Sequence, residues 1–194
     1  MRVAQLIGAS EANSCRLPNE DFMPYLFLDF DGVLHPDAVY LERGRPILRG
    51  HGGIALFQWA PILAELMAPY PHIDIVLSTS WVPTLTFHRA RAYLPASLQQ
   101  RVIGATWHSH YTVEYGIDRI GWFGMTRFAQ INVYVRRHCQ NDNWFAIDDH
   151  PFGWPDDQLG HLVQTDSNSG IFPLEKRDEI VERLNRYESR EPNP

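Results

Sequence analysis

Short apolar runs that stop abruptly on acidic or hydroxylated residues recur along this chain, with stretches of helical spacing between them. The clearest is Tyr25-Leu26-Phe27-Leu28-Asp29, entered from Pro24 and broken by Asp31-Gly32. A near-continuous apolar run of this length describes a strand buried on both faces, as in a parallel sheet. Ile73 to Leu77 reads the same way before Ser78, Val102 to Trp107 is a third candidate, Trp144 to Ile147 a fourth before Asp148-Asp149, and Leu162 to Gln164 a shorter fifth. Ile54 to Met67 carries apolar residues at helical spacing and closes at Pro69. Thr126 to His138 is amphipathic, with Arg136-Arg137-His138 favouring its C-terminal end, and Leu174 to Tyr187 is a charged surface helix opened by Pro173. Strands alternating with helices imply an α/β fold, a three-layer sandwich around a mainly parallel sheet.

At 194 residues the chain fits one domain over 1–194, with a core over about 22–188. Residues 1 to about 20 and the tail Glu188 to Pro194 are expected to be flexible on composition and position. His35 to Gly53, with two Pro and four Gly, reads as a surface flap over about 35–53 between the first strand and the first helix. Val82 to Met125 is a second insertion candidate, but the strand at Val102 to Trp107 leaves no room there for a separate cap domain.

The net charge of −6 means that the whole-molecule field does not attract polyanions, so a generic DNA-coating protein is excluded and any nucleic-acid contact rests on a local patch. Cys15 and Cys139 stand far apart without metal-ligand spacing, which fits a reducing cytoplasm and indicates neither a disulfide framework nor a zinc site. No apolar segment has the length and purity of a signal peptide or a membrane span, so no membrane partner is expected.

Asp29 and Asp31 flank Phe30 at the end of the first strand, where alternation puts both carboxylates on one side. Open α/β sheets place ligands at the carboxyl ends of parallel strands, and Asp148-Asp149 follows a second such strand. Four converging carboxylates would repel one another unless neutralised. A hard divalent cation with oxygen ligands, Mg²⁺ above all, answers that need.

These residues resemble motifs of the haloacid dehalogenase (HAD) superfamily. Leu28-Asp29-Phe30-Asp31-Gly32-Val33-Leu34 is similar to motif I, Ile75-Val76-Leu77-Ser78 to motif II, Arg127 to the basic motif III and Ile147-Asp148-Asp149 to motif IV, over roughly residues 25 to 188. The Leu77-Ser78-Thr79-Ser80-Trp81 run and the stretch Asp166 to Gly170 are most similar to the small HAD domains associated with Swiss army knife RNA repair proteins. The resemblance implies a Rossmann-like, HAD-like sandwich without a large cap, and a phosphatase in which Asp29 is the nucleophile and Asp31 the acid and base. It further implies that Ser78 and Arg127 contact the phosphoryl group. Mg²⁺ would be held by Asp29, Asp148 and the backbone carbonyl of Asp31, with Asp149 acting through a water. Motif III is usually Lys, so Arg119, Arg136 and Arg137 stay open as alternatives to Arg127, and Ser80 as an alternative to Ser78.

The expected substrate is a nucleotide or a nucleic-acid phosphate end. The alternatives are a small phosphometabolite, or a phosphate-ligand binding module with little turnover. Gly50 to Ala55 formally matches a dinucleotide fingerprint, but Pro46 interrupts the segment before it. His35 and His150, next to the acidic motifs, are candidates to line the pocket, and Arg43, Arg45 and Arg49 give the flap a positive stripe. His108-Ser109-His110 reads as a solvated loop, and Trp81, Trp107 and Trp122 as base-stacking or simply buried aromatics.

Overall fold

The computed structural model describes residues 24–50, 52–108, 118–139 and 142–188. Residues 1–20 with Cys15 among them, Ser109, His110 and the tail beyond Glu188 lie outside the described residues, while Glu188 itself ends a helix. β1 (Tyr25–Leu28) is the central strand of a five-stranded sheet ordered β5-β4-β1-β6-β7, with β4 (Asp74–Leu77), β5 (Val102–Ala105), β6 (Trp144–Asp148) and β7 (Leu162–Gln164). Each neighbouring pair is parallel.

Alternation along β1 builds the three layers. Leu26 and Leu28 join one buried cluster and Phe27 the other. The first face is covered by α1 (Ala60–Met67), by the short helices α2 (Trp81–Leu85), α3 (Phe87–Arg91) and α4 (Ala96–Gln99), and by α7 (Leu174–Glu188), which supplies Ile180 and Leu184. The second is covered by α6 (Arg127–His138) through Ile131 and Tyr134, and Phe27 meets Tyr134 and Trp144 edge to face at 5.5 and 5.6 Å. Thr126 caps α6 by accepting from Ala129 N–H at 3.2 Å.

The first helix begins at Ala60, six residues later than its apolar spacing suggests. Phe57 has φ +60°, and its N–H is turned to His35, so the chain before Trp59 is a turn that hands over to a helix with Pro61 in its first turn. The flap is a β-hairpin of β2 (Val39–Glu42) and β3 (Arg45–Leu48). Arg43 and Gly44, both at positive φ, make its two-residue turn, the geometry that matches strand twist. β3 therefore pairs in a hairpin outside the parallel sheet, and the Gly50 to Ala55 segment opens no helix, so the dinucleotide fingerprint has no structural counterpart.

The second insertion holds α2, α3, α4, β5 and the short α5 (Arg119–Phe123), and its described residues build no separate cap. No described helix is long and apolar enough to cross a membrane.

Candidate active site

Sheet register assembles the site. Leu28 pairs with Leu77 on one side and with Ile147 on the other, so the next residues, Asp29, Ser78 and Asp148, stand side by side at the carboxyl edge. Phe27, Val76 and Ala146, two residues earlier, face α6, and by alternation the three edge residues face its N-terminus. Arg127, the first residue of α6, reaches them. Its Nη2 donates to Asp29 Oδ2 at 2.8 Å, and its Nε forms an ion pair with Asp148 Oδ2, also at 2.8 Å, without hydrogen-bond alignment. Gln130, one turn on, accepts from Arg127 Nη1 at 3.1 Å and anchors itself on the Trp122 carbonyl at 2.9 Å. Arg127 is thus the arginine brought to the acidic cluster.

Asp149 joins the cluster because the chain turns after β6. Oxygen atoms of Asp29, Asp148 and Asp149 lie within 4.8 Å of one another. Gly32 makes the space: at φ +66°, any Cβ there would sit 2.2 Å from Asp149 Oδ2. The Gly32 carbonyl is held from below by the Thr165 hydroxyl at 2.8 Å. The Asp31 carboxylate is outside this cluster. It accepts from Trp81 Nε1 at 3.0 and 2.9 Å and pairs with His35 Nε2 at 3.1 Å.

Burial is the largest influence on all three clustered carboxyls and raises each above the usual carboxylate range, Asp149 to about 6. For Asp29 the Arg127 charge opposes the rise, whereas Asp148 and Asp31 add to it. The two carboxylates in turn outweigh burial at Arg127 and hold its guanidinium firmly protonated. Two buried oxygen atoms of the site lack a hydrogen bond among the described residues. Asp148 Oδ2 has no hydrogen bond, and Ser78 Oγ, on a residue 1% exposed, has no partner.

A cavity of about 460 Å³ opens over the cluster. Asp29, Asp31, Arg127 and Asp149 line it, together with Thr79 and Ser80 from the end of β4; Ser78 lies behind that wall. Asp37, Thr126, Gln130, Met125 and Phe152 also line it and were not singled out from sequence. Asp37 sits six residues beyond Asp31 in the loop leading to the hairpin, and burial first, then Asp31, raises its carboxyl. The i, i+3 spacing of Arg127 and Gln130 at a helix start was the available signal for Gln130. His150 lines the cavity, whereas His35 is fully buried behind Asp31. None of Arg43, Arg45 and Arg49 lines it; Arg49 lies over the Tyr40 ring and 3.8 Å from Glu42. Trp122 is at the cavity wall with Trp107 packed on it at 5.5 Å, and His108 is exposed.

Residues 25–173 match the family model described as the HAD domain in Swiss Army Knife RNA repair proteins. No curated protein and no solved structure matches the chain.

Proposed function

The chain belongs to the family of HAD domains found in Swiss Army Knife RNA repair proteins, and from that premise we propose a Mg²⁺-dependent phosphohydrolase that works through an aspartyl-phosphate. A phosphatase-like hydrolase is what the family supports. The observation that carries the finer reading is the convergence of Asp29, Asp148 and Asp149 under Arg127, with Asp31 on the same cavity wall.

The residues fit a hard divalent cation. Three clustered carboxylates against one guanidinium leave two negative charges, burial penalises their ionisation, and Asp148 Oδ2 has no hydrogen bond beyond its ion pair with Arg127. Asp29, Asp148 and the Asp31 carbonyl would hold the ion, with Asp149 beside them. Bound there, it supplies positive charge that keeps the carboxylates ionised and offsets charge on the phosphoryl group.

Asp29 attacks phosphorus, forming a P–O bond to its carboxylate while the ester P–O bond breaks and Asp31 gives its proton to the departing oxygen. Asp31, now ionised, takes a proton from a water that attacks the aspartyl-phosphate, which releases inorganic phosphate and restores both carboxyls. Arg127 steadies Asp29, and the hydroxyls of Ser78 and Ser80 are the candidate donors to phosphoryl oxygens.

The substrate in this reading is a nucleotide or a nucleic-acid phosphate end. The family description supports it, as does a cavity far larger than a phosphate and walled by Phe123 and Phe152, 49% and 72% exposed, rings on which a base can stack. Phosphate release from p-nitrophenyl phosphate, nucleoside monophosphates and 5′- and 3′-phosphorylated oligonucleotides, with Mg²⁺ or EDTA, tests the proposal beside Asp29→Asn. Release that survives either EDTA or Asp29→Asn would refute the mechanism, and cleavage of p-nitrophenyl phosphate with every nucleotide and oligonucleotide left intact would refute the substrate class.

A further inference from the structure

Asp31 is held by two side chains that do not line the substrate cavity. Trp81 is 4% exposed, and its indole N–H spans both Asp31 oxygens at 3.0 and 2.9 Å. His35 has no exposed surface, and its Nε2 lies 3.1 Å from Oδ1. The Phe57 N–H, 3.3 Å from His35 Nδ1, makes that nitrogen the acceptor and leaves Nε2 as the donor. Oδ1 thus meets two fixed donors. Oδ2 shares the indole N–H, lies 3.5 Å from the hydroxyl of Ser80, a residue of the cavity wall, and has acceptor capacity left.

The donors are themselves fixed by aromatic packing. Phe57 sits with ring centroids 4.8 Å from His35, 5.1 Å from Trp81 and 4.9 Å from Phe30, and Tyr93 closes on Trp81 at 5.0 Å. Phe57 does this at φ +60°, a conformation costly for a bulky L-residue and kept only where surrounding contacts enforce it. The strain places its N–H on His35 and its ring against both donors.

Resting on the phosphatase reading, we propose that Trp81 and His35 are positioning residues for proton transfer: His35 on Oδ1 and Trp81 across both oxygens fix the plane of the Asp31 carboxyl and present Oδ2 as the oxygen that passes the proton to the leaving group. Neither touches substrate. Their effect must therefore depend on how much the leaving group needs that proton. An alkoxide needs it, whereas p-nitrophenolate departs without it.

The test compares kcat/KM, which ends at departure of the first product, for p-nitrophenyl phosphate and for a nucleoside 5′-monophosphate or phosphorylated oligonucleotide. Trp81→Phe keeps an aromatic ring, though a smaller one, and removes the N–H. It is expected to lower kcat/KM for the alkyl ester on the order of 10²-fold and at least tenfold less for the aryl ester. His35→Gln, which keeps an N–H donor of similar reach, should retain more alkyl-ester activity than His35→Leu, and this pair decides the matter should Trp81→Phe fail to fold. Equal losses on both esters, no loss on either, or equivalence of His35→Gln and His35→Leu would overturn the inference while leaving the phosphatase reading in place. A wild-type protein that cleaves only the aryl ester would also overturn it, because no acid would then be at work. A wild type silent on both esters would overturn the phosphatase reading and this inference with it.

Discussion

Replacing Gly32 by Ala is the sharpest single perturbation of the site, because its consequences separate into a backbone part and a carboxylate part. The glycine has φ +66°, and an L-residue in the left-handed region costs ~1–2 kcal/mol. The new Cβ would lie 2.2 Å from Oδ2, 2.4 Å from Cγ and 2.8 Å from Cβ of Asp149, so that side chain must retreat by more than an ångström to reach ordinary contact distance. Its oxygen then leaves the group within 4.8 Å that includes Asp29 and Asp148. Thermal unfolding without cation should show at least the backbone cost, a drop in Tm of about 2–8 °C for a domain of this size, with the Asp149 Cβ contact adding to it. The increase in Tm expected on adding Mg²⁺ should shrink as well. Losing one of three carboxylates weakens the ion by about tenfold, or ~1.4 kcal/mol at saturating cation. Isothermal titration of Mg²⁺ into both proteins gives the same quantity independently. A Gly32→Ala protein whose Mg²⁺ affinity and Mg²⁺-induced Tm shift equal those of the wild type would refute the reasoning, since Asp149 would then contribute nothing to the ion.

Without cation, stability should fall as pH rises. The clustered carboxyls are raised above their unfolded value of about 3.9, so the native state holds more protons than the unfolded chain from about pH 4 through 6, where Asp149 ionises, and above, where Asp29 follows. Their contribution is full below pH 4 and is lost across that window; urea unfolding at pH 5 and pH 8 with EDTA measures it, and a cation-free protein more stable at pH 8 would contradict the cluster's electrostatics. Arg127→Leu leaves Asp29 and Asp148 without their counter-charge and should cost about 3–5 kcal/mol at pH 8 and less at pH 5, where protonation relieves them; an equal loss at both pH values would argue against it. Asp29→Asn should remove phosphate release by at least ~10³-fold while leaving the protein folded, as read by circular dichroism. Ser78→Ala and Ser80→Ala, assayed side by side, should differ in KM, the larger rise marking the hydroxyl that meets the phosphoryl group.

The sheet was legible in the sequence because its three middle strands, β4, β1 and β6, carry apolar runs that end on a residue of the candidate site: Asp29, Ser78 and Asp148 all fall one step from a fully buried aliphatic. Register then does the rest, which is why the acidic cluster could be anticipated without a structure. The start of α1 was not legible. Ile54, Leu56 and Phe57 have helical spacing but serve a turn whose positive φ is imposed by packing on His35 and Trp81. Trp81 was read as a base-stacking or buried aromatic, and its position just past β4 was the available signal for more, since a buried indole N–H requires an acceptor. Asp37 and Gln130 were missed because their roles depend on where a loop and a helix start return, information that local pattern does not hold.

The placement of β1 between β4 and β6 has a consequence for how the protein is made. Tyr25 pairs with Asp74 and with Trp144, so the central strand waits 49 positions for one partner and 119 for the other. Closing loops of that length costs entropy before any contact repays it, and sheets ordered in this way fold slowly. During synthesis β1 leaves the ribosome as an apolar segment with both edges unpaired, long before its second neighbour exists. Asp29 and Asp148 can meet only after four of the five strands have been translated, so the acidic cluster assembles late. An ion held there would act only once β1 and β6 have met, drawing the chain toward the native state late and leaving shorter nascent fragments untouched.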